Sequence, residues 1–190
     1  MSKCGPYSII YADPPWHYND KAQAGRRGAA YKYPTLLPVK IEELPVKSIA
    51  ADNSALFLWV TYPQLPVGLS VLHAWGFQYK TVAFTWIKLN SKKLTPFMGG
   101  GSYTRANAEI VLLGTKGRPL RLNKGVRSIV QSVRREHSRK PDEVRERIVE
   151  LFGDLPRIEL FARQKVSGWH AWGNEVESDI DLAIELVERT

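Results

Sequence analysis

The sequence predicts an α/β fold, a Rossmann-like doubly wound and mostly parallel sheet with helices on both faces. Two observations carry that expectation. Short apolar runs rich in β-branched residues alternate along the chain with longer segments of helical period. The central run SALFLWVTY (54–62) is apolar almost throughout, the mark of a strand covered on both faces. The chain has 190 residues, the size of one domain, and contains no interdomain linker or internal repeat, so residues 1–190 are expected to form a single domain.

Element by element, SIIYA (8–12) reads as a strand ended by two prolines, and VKIEELPVKSIA (39–50) as a helix interrupted at Pro45. After the strand at 54–62, QLPVGLSVLHAWG (64–76) is helical up to Gly76, a natural left-handed cap. KTVAFTWIKL (80–89) alternates and is a strand, followed by strands at NAEIVLLGTK (107–116) and RSIVQSV (127–133). In HSRKPDEVRERIVELFG (137–153), Pro141 suits a first helical position, Asp142 and Glu143 suit the positive helix end, and Gly153 closes the helix. RIELFA (157–162) is a strand, and SDIDLAIELVER (178–189) an amphipathic helix capped by Ser178 or Asp179. Two long, polar, basic, glycine-containing stretches, 17–35 and 90–106, interrupt the alternation and are expected to be mobile, functional loops. In a doubly wound sheet such loops gather at the carboxyl ends of the strands, where ligands bind.

Charge narrows the partner. There are 27 Lys plus Arg against 19 Asp plus Glu, and residues 1–174 alone carry a net charge of +13. Nine bases fall in residues 116–140 with only Glu136 opposing them. An excess of this kind attracts polyanions, because neutralised phosphates release condensed counterions. No run reaches the eighteen or so apolar residues of a membrane span and no signal peptide opens the chain, so a soluble, cytoplasmic protein is expected. Cys4 has no internal disulfide partner. His17, His73, His137 and His170 are scattered, and no metal-ligand spacing or Gly-rich dinucleotide fingerprint is present, so no metal is expected.

The sharpest chemical signal is YADPPWHY at 11–18. A strand ending in Asp13 at the carboxyl edge aims a carboxylate into the ligand crevice. Pro14 and Pro15 lock the turn and offer no N–H, leaving the Pro14 carbonyl as an acceptor, while Trp16 supplies a surface for a planar ring. Two acceptors that take both hydrogens of a ring-conjugated amine draw its nitrogen out of plane and localise the lone pair for attack on an electrophile. Asp13 is then placed to accept the proton.

ADPPW, LFLWVT (56–61), the WG at 75–76, YTRANAEIVLLGTKG (103–117), HSRKPDE (137–143), RIELFAR (157–163) and GWHAWGNE (168–175) occur in an order that resembles the adenine-N6 methyltransferases of the methyltransferase-A seventy family, as compact bacterial or phage members. The resemblance runs from about Tyr7 to Glu175. It implies S-adenosylmethionine as methyl donor and a permuted order, with the catalytic strand first and the donor-binding strand last. It also implies Asp13, Pro14, Pro15 and Trp16 as the amine site. Asp13, Lys140, Phe161, Arg163, Asn174 and Glu175 would then line the donor, Lys140 at its carboxylate and the Asn174–Glu175 pair at its ribose. Lys165 and Val166 stand where the family's messenger-RNA enzyme has a polar pair meeting the donor. The chain begins six residues before Tyr7, so the wall over the donor's adenine is expected from a second subunit or from the long loops.

The resemblance to compact members implies DNA over RNA as substrate, with the target base flipped out of the stack. Tyr18, Arg26, Arg27 and Lys32 in the first loop, Tyr103 and Arg105 in the second, and Arg118, Arg121, Arg134 and Arg135 in the basic stretch are the candidate nucleic-acid contacts, alongside Trp16. The first loop is expected to close over the flipped base. A homodimer is plausible, because eukaryotic members of the family pair. An RNA methyltransferase, a silent partner subunit that only presents nucleic acid, a glutamine or cytosine amine methylase, and a nucleic-acid-binding module without chemistry are the alternatives.

Overall fold

The computed structural model describes residues 6–17, 36–101, 103–135 and 139–182. The elements run β1 (Tyr7–Ala12), α1 (Pro38–Glu42), α2 (Val46–Ile49), β2 (Ala50–Val60), α3 (Leu65–Ala74), β3 (Gln78–Leu89), β4 (Ala108–Lys116), β5 (Ile129–Val133), α4 (Asp142–Phe152), β6 (Arg157–Leu160) and β7 (His170–Trp172). The seven strands form one sheet in the order β5-β3-β4-β2-β1-β6-β7. Only β4 runs against the rest, pairing antiparallel with both β2 and β3. Its reversal follows from its connection. Among the described residues the segment between β3 and β4 contains no helix, and only a parallel return needs a crossover.

Strand pleating splits the apolar residues into two cores. Ile10, Ala12, Leu56, Leu58 and Leu112 face one side with Ile41, Val46, Val71 and Leu72 from α1 to α3. Ile9, Tyr11, Phe57, Trp59 and Val111 face the other with Val144, Ile148 and Phe152 of α4. β2 is therefore apolar on both faces, as its composition predicts.

Several boundaries depart from the sequence expectation. The helix at 39–50 is two short helices, because Pro45 can neither donate a bond nor follow a helical turn, and β2 begins already at Ala50. Pro141 is the N-cap of α4 rather than its first helical residue. β6 stops at Leu160 because Phe161 adopts a left-handed φ of 60°. β7, only three residues long, has no periodicity to read from sequence. Residues 178–182 of the expected final helix are not helical, and 183–190 lie outside the described residues. Gly76 does cap α3: the Phe77 and Gly76 amides return to the Leu72 and His73 carbonyls, and Gly76 has φ 84°. Among the described residues, no helix is long and apolar enough to cross a membrane.

Candidate active site

The site is assembled by strand register. Ala12 of β1 pairs with Leu160 of β6, and Leu160 with Trp172 of β7, all parallel. Asp13, Phe161 and Gly173 therefore leave the sheet side by side at its carboxyl edge. That juxtaposition brings the DPPW turn, the Phe161–Ala162–Arg163 turn and the Gly173–Asn174–Glu175 turn together although they lie up to about 160 residues apart.

The turn after β1 is held from behind. Trp16 donates from Nε1 to the Trp59 carbonyl at 3.0 Å, and Trp59 Nε1 donates to the Tyr11 hydroxyl at 2.6 Å. Trp16 is 5% exposed and belongs to the core. The open stacking face expected of Trp16 is thus corrected: its indole anchors the motif, because burying the ring and satisfying its N–H outweigh leaving it in water. The Pro14 carbonyl is likewise not wholly free, since it accepts the Trp16 amide at 2.8 Å, leaving one lone pair for a ligand. Leu36 donates to the Pro15 carbonyl at 3.0 Å.

Asp13 does not stand alone. Lys140 Nζ lies 2.8 Å from both of its carboxylate oxygens and 3.3 Å from Glu109, and 5.3 Å from the centre of the Trp59 ring. Lys88 bonds the same Glu109, so Asp13, Lys140, Glu109 and Lys88 form one alternating chain of charge. Burial alone would lower the Lys140 pKa, but Asp13 and Glu109 outweigh it and keep the ammonium protonated. Burial would raise Glu109, and Lys140 and Lys88 bring it below the usual carboxylate value. Burial pushes the Asp13 carboxyl up against the opposing pull of Lys140. With Nζ bonded to both oxygens and 25% of the Asp13 side chain exposed, the pair sits as carboxylate and ammonium. Glu109 escaped the sequence reading. Its one signal was a lone acid opening an otherwise apolar strand.

A second buried charge cluster lies beneath the first on the α4 face. Arg145, 7% exposed, donates from one nitrogen to both Glu159 oxygens at 3.0 and 3.1 Å and also bonds Asp142. Burial, only partly offset by Arg145, pushes Glu159 up to about 7. Burial, with Glu159 adding to it, raises the Tyr11 hydroxyl far above its ordinary value, so Tyr11 is neutral.

The other expected donor residues meet across the neighbouring turns. Arg163 Nε donates to Glu175 at 2.8 Å, Asn174 is exposed beside it, and Phe161 packs edge-on against Trp172 with ring centres 5.4 Å apart. Lys165 bonds Asp179 at 2.7 Å, while Val166 joins the core. A groove of about 740 Å³ lies between α4 and the turn after β6, lined by Arg145, Arg157, Lys165 and Trp169. Neither Asp13 nor Trp16 borders it, so this groove is separate from the Asp13 turn.

The candidate nucleic-acid contacts divide. Tyr103 and Arg105 are exposed in the β3–β4 connection, which leaves from the Asp13 edge. Arg134 stacks on Phe97 with its guanidinium 3.5 Å from the ring centre, and Arg135 is tied to Asp142. Arg118 and Arg121 are not brought to the Asp13 edge. Lys116 pairs with Ser54, the Arg118 amide bonds Asn53, and Leu122 bonds the Leu151 carbonyl, all at the opposite edge. Tyr18, Arg26, Arg27 and Lys32 lie outside the described residues. Among the described residues, no group of three His, Cys, Asp or Glu could hold a metal ion.

Comparison with known proteins matches residues 7–175 to the MT-A70 family. The chain is 38% identical over 188 residues to the type II methyltransferase M.MunI of Mycoplasma sp, covering 90% of this chain and 78% of that protein. It is 28% identical over 193 residues to the human N(6)-adenosine-methyltransferase catalytic subunit METTL3, of which it spans 31%. The Arabidopsis thaliana N(6)-adenosine-methyltransferase MT-A70-like protein is 28% identical over 180 residues, with 24% of its length covered.

Proposed function

This chain belongs to the MT-A70 family, and from that premise we propose that it is an S-adenosylmethionine-dependent methyltransferase acting on the exocyclic N6 amine of adenine in DNA. The carrying observation is the Ala12–Leu160–Trp172 register, which sets Asp13 beside Phe161–Arg163 and Asn174–Glu175 at one edge. DNA is favoured because the higher identity is to a type II methyltransferase, while the chain's net charge of +8 suits a polyanion of either kind.

The donor fits these side chains. A zwitterionic amino acid end needs one anion and one cation, and Asp13 and Lys140 supply both within hydrogen-bond distance of each other. Asn174 and Glu175, exposed on the adjacent turn, offer polar groups for the ribose hydroxyls, with Phe161 and Arg163 beside them. When bound, S-adenosylmethionine supplies an electrophilic methyl on a positively charged sulfur. The protein's part is to prepare the amine. One Asp13 oxygen and the remaining lone pair of the Pro14 carbonyl accept the two N6 hydrogens, pull the nitrogen out of the ring plane and free its lone pair. Forming the new C–N bond would break the donor's S–CH3 bond and leave a neutral thioether, and Asp13 would accept the surplus proton left on the nitrogen. Lys140 keeps Asp13 anionic for both roles.

The test is transfer of labelled methyl from S-adenosylmethionine to unmethylated duplex DNA, single-stranded DNA and RNA, with nucleoside analysis. Wild type should yield N6-methyladenine in DNA. Asp13→Ala should lose on the order of 10³-fold in rate while still binding nucleic acid. Methylation of RNA alone, of another base, or of nothing overturns the proposal.

A further inference from the structure

The connection between β3 and β4 is an arm with its own internal construction. At its base the Asn90 side chain donates to the Thr95 carbonyl at 3.3 Å, the Thr95 hydroxyl at 3.2 Å and the Pro96 carbonyl at 3.3 Å. The Phe97 amide returns to the Lys88 carbonyl at 2.7 Å, and Arg134 covers the Phe97 ring. Further out, the leaving and returning chains touch backbone to backbone. A Cβ on Gly99 would fall 1.9 Å from the Ala106 carbonyl oxygen, and one on Gly101 1.9 Å from that of Thr104. Ala106 donates to the Gly100 carbonyl at 3.1 Å. No side chain fits at Gly99 or Gly101, so these glycines hold the hairpin closed.

That closed hairpin carries Tyr103 into solvent with 102% of its surface exposed. Met98, 73% exposed, accompanies it. Residues 90–108 hold Lys92, Lys93 and Arg105 and no acid. The arm also returns straight into Glu109, which Lys140 links to Asp13, so its root lies at the reacting edge. A large aromatic held away from its own protein, on a cationic stalk beside an amine-activating carboxylate, suits a partner that is both polyanionic and stacked.

We propose that Tyr103 is a positioning residue that wedges into the DNA base stack and fills the gap left by the flipped adenine. The inference rests on the methyltransferase reading above and adds how the duplex is opened. Extruding a base costs the enzyme its stacking and pairing, and an aromatic ring can restore the stacking part from the protein side. Trp16, buried in the core, cannot do this.

The experiment first maps the methylated site in genomic DNA and then uses two synthetic duplexes, one with the target adenine paired to thymine and one with it facing an abasic gap. Tyr103→Ala should lower kcat/KM on the paired duplex by roughly tenfold or more, as stacking losses do. On the gapped duplex the deficit should shrink to within about threefold, because the base is already free to leave. Tyr103→Phe should behave as wild type on both, and neither variant should shift Tm, since the side chain touches solvent only. An equal loss on both duplexes, or no loss on either, overturns the wedge while leaving the methyltransferase reading intact. Absence of transfer by wild type to any genomic DNA overturns that reading, and the wedge with it.

Discussion

At the carboxyl edge of the sheet Lys140 is tied to two carboxylates and 13% exposed, whereas in the adjoining arm Lys92, Lys93 and Arg105 stand in water with no acid among residues 90–108. Both regions are basic in the sequence and serve different ends. The edge spends its cations on its own acids: Lys88 and Lys140 on Glu109 and Asp13, Arg145 on Glu159, Arg135 on Asp142. Charge there is geometry, fixing where a carboxylate points. Charge in the arm is left for a partner. Counting bases along the chain cannot separate the two uses, which is why the run 116–140 looked like a single polyanion surface.

Breaking the edge should have the largest effect. Lys140→Met strands the part-buried Asp13 carboxylate, leaves Glu109 with Lys88 alone and should cost up to about 3 kcal/mol of stability, read as a drop in Tm, together with loss of donor binding by calorimetry. Unchanged donor affinity would remove Lys140 from the donor site. Replacing Lys92, Lys93 and Arg105 together with Ala should leave Tm alone, weaken DNA binding by roughly tenfold at moderate salt and flatten its salt dependence by about one unit of log–log slope per lost phosphate contact. Arg135→Ala is the control. Its side chain is engaged by Asp142, so the slope should hold.

Smaller effects test the support beneath the edge. Trp16→Phe removes the bond to the Trp59 carbonyl and should cost about 1–2 kcal/mol, measured by urea titration, with a larger drop in methyl transfer as the DPPW turn loosens. Smallest is the pH effect at Glu159. Its folded-state pKa of about 7 lies above the ordinary 4.5, so the folded state holds the proton longer than the unfolded chain. The stability contributed is full below pH 4.5 and is lost as pH rises through 7. Glu159→Gln should therefore show a flatter fall in Tm between pH 5 and pH 8 than wild type, by a few degrees. Parallel curves would mean that Arg145 holds Glu159 ionised throughout.

Much of the edge was legible in advance. ADPPW marked the strand end, the HSRKPDE block marked Lys140 ahead of α4, and RIELFAR and WGNE marked the two turns beside it. What escaped shares one property, dependence on a partner distant in the chain. Glu109 matters because Lys140 and Lys88 reach it, and Trp16 is an anchor because the Trp59 carbonyl waits 43 residues away. β7 was too short to show a period and exists through pairing with β6.

The sequence by itself determined the alternation of strands and helices, the two-sided burial of β2, the rigid acid-Pro-Pro-Trp turn and the family blocks, because each follows from local sterics, periodicity or nearby residue types. Only the tertiary structure decided that β4 runs backwards, that Lys140 bridges Asp13 and Glu109, that Arg118 and Arg121 sit at the far edge, and that Tyr103 is held out by two glycines. Those depend on strand register and on contacts across up to 127 residues, where no local preference reaches.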